Sequence, residues 1–309
     1  MFELTARALA PRTAGLVLLT AAATLSLVSP AAAGGSATSL LYERTVMTAA
    51  NGRCRLFTPQ IAAALDASRI QARGAAVRSG ARTDDLLDVE RRARSKAAVA
   101  DCRSADMNTA ADRVRKGFEG YARMIKMVYP GEVAGWSADR SVSRDGIRWM
   151  LLQTSAFGWD RLRFGLTGQH GEPSLTAVGI FADGARPYAA RLVIRDLART
   201  SGPYLDQRSR GVGGKLSLPS RVPPRSATRA FTAEARVTAE PMLLFGESRG
   251  GWRFRFSPAA AKALADLDPR EAVIVEFLFD GQGNSAVRKA YVEVGDFAAG
   301  QAFLAASQR

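Results

Sequence analysis

The stretch MNTAADRVRKGFEGYARMIKMVYP, residues 107–130, marks a change of architecture along the chain. Its apolar residues recur every three or four positions, which is the spacing of one face of an α-helix. These residues are Met107, Ala110, Val114, Phe118, Tyr121, Ile125 and Val128. Because proline cannot continue a helix, the pattern predicts a helix that ends at Pro130.

Three further helices are predicted before this one. The segment SLLYERTVMTAANG reads as a helix stopped by Gly52. Thr58 supplies an N-cap for a second helix that has Pro59 at its first position. Thr83 is the predicted cap of a third helix, and two aspartates follow it in the first turn, where the helix dipole favours negative charge. We therefore expect a helical domain of about four up-and-down helices over residues 34–129.

Beyond Pro130 the apolar residues alternate with polar ones, as in half-buried strands. In GWRFRFS, for example, Trp252, Phe254 and Phe256 fall on one face and two arginines on the other. The segments interpreted as strands are GIRWMLLQTS, RLRFGLT, SLTAVGIF, AARLVIRDL, AFTAEARVTA, PMLLFGE, GWRFRFS, AVIVEFLF and AVRKAYVEV. Short helices are predicted for SPAAAKALADL, capped by Ser257, and for DFAAGQAFLAA.

Turn signals support an antiparallel arrangement of these strands. The Asp-Gly pairs Asp145–Gly146, Asp183–Gly184 and Asp280–Gly281 lie beside strand segments and favour tight hairpins. Many short strands separated by turns are typical of a sandwich or barrel. The sequence thus predicts an α+β protein: the helical domain is followed, over residues 130–309, by a mainly antiparallel β-sandwich or open barrel with one or two short helices.

The first 33 residues have the pattern of a secretory signal peptide. A slightly basic start is followed by the apolar run AGLVLLTAAATLSLV and by SPAAA, which predicts cleavage after Ala33. The apolar run is shorter than the roughly 20 residues that a membrane-spanning helix needs. No later stretch is apolar for long enough to span a membrane. We expect an exported bacterial protein, periplasmic or secreted.

Cys54 and Cys102 are the two cysteines of the chain. Arginines flank Cys54 on both sides and would favour a reactive thiolate. A zinc site is disfavoured because the chain has a single histidine and no Cys-x-x-Cys pair. In an exported chain with two cysteines, a disulfide is the expected state. An up-and-down bundle places the first and third helix connections, where these residues lie, at the same end.

The chain is basic, with a formal net charge of +14, and one segment concentrates that charge. Residues 200–230 are rich in Gly, Pro, Ser and Arg, and the segment is longer than an ordinary connection. It contains one acid, Asp206, and six basic residues: Arg208, Arg210, Lys215, Arg221, Arg225 and Arg229. A flexible basic loop of this kind can attract an anionic lipid headgroup, lipopolysaccharide or an acidic protein. These six residues are the candidate anion-binding residues.

A second basic run, RRARSK at 91–96, has a simpler interpretation. Asp88 and Arg92, and likewise Glu90 and Arg94, are four residues apart in the orientation that favours ion pairs on a helix. We interpret the run as a solvated helix face.

Several motifs suggest catalysis or metal binding, but each lacks neighbouring residues that such a site needs. GESRG, residues 246–250, matches a serine-hydrolase elbow, but that elbow needs a following helix and a later histidine. We therefore interpret Ser248 as a turn residue. His170 lies in a predicted loop with no nucleophile beside it, and Asp280 with Asn284 lacks the further ligands of a calcium loop. No cofactor or metal site is predicted.

The leading functional hypothesis is an exported cell-envelope binding or interaction protein without catalytic activity. The alternative is a periplasmic hydrolase of envelope glycans, which would need two carboxylates about 5–10 Å apart across a cleft. Core packing explains the four tryptophans better than a sugar-binding platform, although Trp136 and Trp159, beside loops, leave both interpretations open. Export argues against a nucleic-acid partner despite the charge.

One short segment resembles a known family. FRFSPAAAKALADLDP, residues 254–269, is similar to the strand and helix near the end of exported invasion-associated locus B proteins. The resemblance covers sixteen residues, and the cysteines of this chain lie elsewhere, so no functional residue is carried over from it.

Overall fold

The computed structural model describes residues 30–143, 146–169, 173–200, 205, 216–246, 250–281 and 286–305. Four helices come first and two short helices lie near the end of the chain. They are α1 (Pro30–Cys54), α2 (Pro59–Arg78), α3 (Thr83–Val99), α4 (Ala105–Arg123), α5 (Pro258–Ala265) and α6 (Phe297–Ala305). Within the described ranges, no helix combines the length and apolar character needed to cross a membrane.

The helix boundaries follow local capping chemistry. Thr58 accepts a hydrogen bond from the Ile61 N–H with Pro59 at the first position, and Ser257 caps α5 in the same way. Thr83 is the first residue of α3 rather than its cap. Gly52 does not end α1, which continues through Cys54.

In the described ranges, twelve strands follow the four helices. They are β1 (Lys126–Tyr129), β2 (Trp136–Asp139), β3 (Val142–Ser143), β4 (Gly146–Phe157), β5 (Asp160–Gln169), β6 (Ser174–Ile180), β7 (Ala189–Arg195), β8 (Thr228–Thr232), β9 (Ala235–Thr238), β10 (Trp252–Arg255), β11 (Ala272–Leu278) and β12 (Val287–Glu293). Every recorded pairing between them is antiparallel.

The strands form two sheets. The large sheet has the order β1-β2-β4-β5-β6-β10-β9, with β3 paired to β4, and the small sheet has the order β12-β11-β7-β8. Apolar side chains from both sheets meet in one core, which includes Phe164 and Phe254 from the large sheet and Leu192 and Phe277 from the small one. The predicted α+β fold with a mainly antiparallel sandwich is therefore confirmed.

The prediction of a helix up to Pro130 is wrong for its last residues. Helix α4 ends at Arg123, and Lys126–Tyr129 pairs with Trp136–Asp139 as an edge strand of the large sheet. In that strand Val128 is 70% exposed while Tyr129 is fully buried. Burial of Tyr129 within the sandwich core thus decides the local structure over the helical spacing.

Two of the predicted strands also need correction. The segment PMLLFGE holds a 3-10 turn at Pro241–Leu243 rather than a strand. The segment AFTAEARVTA contains two strands, because the chain passes from one sheet to the other within it. The Ala233 N–H donates to the Ala190 carbonyl at the small sheet, and the next N–H, of Glu234, donates to the Arg255 carbonyl at the large sheet.

The Asp-Gly signals have two outcomes. Gly146 is the first residue of β4 and lies opposite Ser143 of β3, whereas Asp145 lies outside the described residues; Asp280–Gly281 follows β11 before its antiparallel partner β12. Asp183–Gly184 forms a turn, with φ +72° at the glycine, but it connects β6 of the large sheet to β7 of the small sheet and is not a hairpin.

The helical region packs directly on the β-rich region through α2 and α6. Arg78, at the end of α2, donates to Asp296 at 2.9 Å, just before α6 begins. A side chain on Gly74 would collide with the same carboxylate, so only glycine allows this close approach. The division into domains at residues 129 and 130 stays a prediction.

Candidate functional site

The two cysteines are joined in a disulfide, as predicted. Cys54 ends α1, Cys102 lies in the turn between α3 and α4, and their Cα atoms are 5.5 Å apart. Arg53 does not serve a reactive thiol, because its guanidinium donates to the carbonyl groups of Ala98 and Ala100. Arg53 therefore helps to hold the end of α3 against the end of α1.

The structure divides the six candidate anion-binding residues into three groups. Arg208, Arg210 and Lys215 lie outside the described residues. Arg225 and Arg229 are exposed at the start of edge strand β8, and neither forms an ion pair with a described residue. The sixth residue, Arg221, is buried.

Arg221 belongs to an internal ionic network. Its side chain is 2% exposed and pairs with Glu132 at 2.8 Å and Glu293 at 3.4 Å. Its Nε donates to the Leu216 carbonyl at 2.8 Å. An arginine held in this way cannot face an external anion, so Arg221 is an anchor for the C-terminal part of the basic segment.

Glu293 fixes the connection between β1 and β2 onto β12. Its carboxylate accepts the N–H groups of Glu132, Val133 and Ala134 at 2.7 to 2.8 Å. Three backbone donors and the Arg221 guanidinium satisfy the charge of this fully buried side chain. The carboxylate is therefore part of the framework of the sandwich.

The other buried carboxylates are also held by arginines. Glu271 pairs with Arg195 at 2.6 Å, and Asp296 pairs with Arg78. Burial raises the pKa of both carboxyl groups, and the arginines only partly oppose that rise. These groups are enclosed by their partners and do not line either of the cavities described below.

On the helix face at 91–96, one of the two predicted ion pairs is present. Arg94 donates to Glu90 at 2.9 Å, whereas Asp88 pairs with Arg91 rather than with Arg92. The residues Ser248, His170 and Asn284 lie outside the described part of the chain. In that described part, no group of three or more His, Cys, Asp or Glu side chains is placed to hold a metal ion.

The two tryptophans beside loops have opposite environments. Trp136 is fully buried, and its indole N–H donates to the Val294 carbonyl at 2.8 Å. Trp159, at the two-residue turn between β4 and β5, is 94% exposed. The turn is held in place because Asp160, the residue after Trp159, accepts hydrogen bonds from Arg288 at 2.9 Å and from the Ala182 N–H at 3.0 Å.

A cavity of about 500 Å³ lies near the end of the large sheet. Its lining includes Gly184, Gly250 and Gly251, and Phe181 and Trp252 supply its aromatic walls. The Arg236 guanidinium lies 3.9 Å from the centroid of the Trp252 ring. This stacking is a cation–π contact, and no carboxylate of the described residues lines the cavity.

A second cavity, of about 480 Å³, lies among the helices and is called here the helical groove. Its apolar lining consists of Val46, Met47, Leu65, Ala110, Val114 and Phe118. Glu43, Arg44, Lys96 and Arg113 carry charge around it. The volume falls within the range of about 300–1,000 Å³ that is usual for small-molecule sites.

The sequence pattern located the residues of this groove without predicting its function. Ala110, Val114 and Phe118 belong to the apolar stripe of α4, which the spacing assigned to the core. One feature of the sequence could have indicated the groove, namely the small side chains near the end of α3. The last two buried residues of that helix are Ala93 and Ala97. Such side chains are too short to cover the stripe of α4.

Comparison with protein-family models, with curated proteins and with solved structures found no match for this chain.

Proposed function

We propose that this chain is a non-catalytic binding protein of the cell envelope, which engages a phosphate-bearing envelope lipid through the basic segment 200–230. The observation that carries the proposal is the position of Arg225 and Arg229. Both are exposed beside the edge strand β8, without an acidic partner among the described residues. Arg208, Arg210 and Lys215 precede them in the sequence, before the buried Arg221.

The anchoring of this segment supports the proposal. Leu205, before its most basic part, is 3% exposed, and Arg221, after it, is held by Glu132 and Glu293. A buried residue thus lies on each side of Arg208, Arg210 and Lys215 in the sequence. Cations that lie close to an anionic surface contribute about 1 kcal/mol each. Export of the chain, which the signal-peptide pattern predicts, would bring it to such surfaces.

The test is retention on phosphatidylcholine vesicles with and without phosphatidylglycerol, and on vesicles that contain lipopolysaccharide. The variant replaces Arg208, Arg210, Lys215, Arg225 and Arg229 with Gln and keeps Arg221, since deletion of the whole segment would remove the anchor. We expect the wild-type protein to bind the anionic vesicles at about 0.01 M salt and to lose most of that binding near 1 M, where charges are screened beyond about 3 Å. The variant should bind at least about tenfold more weakly.

A matched control removes the same number of charges elsewhere. Arg55, Arg92, Arg103, Lys116 and Arg186 are exposed and form no ion pair with a described residue. Their replacement by Gln should leave most of the binding. Equal losses in the two variants would show that only the overall charge matters, and binding that resists salt would contradict the proposal outright.

A further inference from the structure

The helical groove arises from the way the four helices pack. Helix α1 packs against both α2 and α3, while α4 packs against α2. The groove lies between these helices, and its lining comes from α1, from Leu65 on α2, from Lys96 on α3 and from residues 110–118 of α4. The disulfide between Cys54 and Cys102 ties the N-terminal end of α4 to the end of α1, which fixes that side of the groove.

The floor of the groove is apolar and firmly packed. Met47 and Leu65 are 8% and 1% exposed, and both belong to the core cluster of the helical region. The walls are formed by partly buried side chains of the same cluster, among them Val114 and Phe118. A groove of this kind favours a flexible hydrocarbon chain, because apolar surface on both sides leaves water.

The rim of the groove has an excess of positive charge. Lys96 on α3 and Arg113 on α4 are exposed and form no ion pair with any residue in the described part of the chain. Arg44 is partly buried and donates to the Ser68 carbonyl at 2.8 Å. Among the residues that the structure describes, Glu43 is the one acid that lines this cavity. An anionic group above the apolar floor would therefore meet two cations that lack a partner.

From this combination we propose that the helical groove binds a single-chain anionic amphiphile. Its hydrocarbon chain lies between α1 and α4 against Met47 and Leu65, and its carboxylate or phosphate head group contacts Lys96 and Arg113. A neutral amphiphile can bury its chain against the apolar floor but has no charge to pair with the two cations. A cationic amphiphile is repelled by them. This proposal does not depend on the function proposed for the basic segment 200–230.

The direct test uses isothermal titration of the full chain with monomeric dodecanoate, dodecyl phosphate, dodecanol and dodecyltrimethylammonium, below their micelle concentrations. We expect one site that binds both anionic compounds, binds dodecanol more weakly and does not bind the cation. A tighter complex with dodecanoate would assign fatty acids as ligands, and a tighter complex with dodecyl phosphate would assign lysophospholipid-type ligands. Each added methylene should tighten binding by up to about fourfold, as expected for burial of the chain.

Two pairs of variants separate the floor from the rim. Ala110→Phe fills the groove and should abolish binding of every amphiphile, whereas Thr109→Phe, exposed on the same helix, should not. The double replacement of Lys96 and Arg113 with Gln should weaken the two anions at least fivefold, by loss of about two charge contacts, and change dodecanol binding less than twofold. Lys116→Gln together with Arg92→Gln, exposed on the same two helices, is its control.

The inference is overturned by the absence of saturable binding to the wild-type protein. It is equally overturned if a folded Ala110→Phe variant binds as the wild type does, or if the cation binds as well as the anions. The variant that neutralises the basic segment should retain full amphiphile binding, so failure of this inference and failure of the proposed function give different results. Circular dichroism spectra and melting temperatures verify that each variant is folded.

Discussion

Arg221 shows at the level of one residue where sequence interpretation reaches its limit. It lies among Gly, Pro and Ser residues with five other cations, and nothing in its neighbours distinguishes it from them. Its partner Glu293 is 72 residues away, on the last strand of the small sheet. A pairing over that distance depends on sheet topology, whereas the capping roles of Thr58 and Ser257 depend on adjacent residues and could be predicted.

Loss of the Arg221 side chain should strongly destabilise the protein. Arg221→Ala leaves the buried Glu293 without its ion pair and Glu132 without its guanidinium partner, and removal of one member of a buried pair costs about 3–5 kcal/mol. We expect that decrease in the free energy of unfolding in urea. Arg225→Ala, at an exposed position of the same segment, should change it by less than about 0.5 kcal/mol. Similar values for the two variants would show that the network contributes little.

At the level of helices and strands, regular apolar spacing predicted where an element lies but not where it ends. Strands with clear alternation, such as β10, and helices with local caps, such as α2 and α5, lie where the sequence places them. Strands β1 and β2 were missed, because β1 continues the apolar spacing of α4 and is set by pairing with β2. The apolar stripe of α4 was predicted, but its role depends on α3, which leaves part of that stripe uncovered.

The disulfide should stabilise the helical region through the loop that it closes. Its cysteines are 48 positions apart, and a loop of that length corresponds to about 4 kcal/mol in the chain-entropy model. Replacement of both cysteines with Ala should lower the free energy of unfolding by up to this amount, with the largest effect on α1 and α4 in hydrogen exchange. Alkylation of the unreduced wild-type protein, followed by mass spectrometry, should detect no free thiol. Two alkylated thiols would contradict the crosslink.

For the whole molecule, the contact between helices and sandwich was the least predictable feature. The sequence divides cleanly into a helical and a strand-rich half, and nothing in either half indicates that α2 meets α6. At this contact Gly74 and Arg78 of α2 meet Asp296, which lies more than two hundred residues later in the sequence. The basic segment could be recognised from composition, whereas the helical groove required the packing of four helices.

Burial of carboxyl groups at this contact should affect the pH dependence of stability. The pKa of Asp296 is raised by burial, so between the unfolded value near 4 and the raised value the folded protein binds more protons than the unfolded chain. The free energy of unfolding therefore falls as pH rises through that range. Asp296→Asn should remove part of this fall in urea titrations at several pH values. Asp84→Asn, at a carboxyl group in solvent, should not, and identical slopes in both variants would refute the assignment.

The packing of α2 against α6 has a consequence for biogenesis. Helix α2 is synthesised early, whereas α6 and Asp296, which pack against it, are synthesised much later. Asp296, the partner of Arg78, lies 218 residues further along the chain. A nascent chain that still lacks α6 therefore cannot form this contact. A chain truncated before α6 leaves the face of α2 that α6 covers exposed to solvent, and we expect proteases to cleave such a chain faster than the full one.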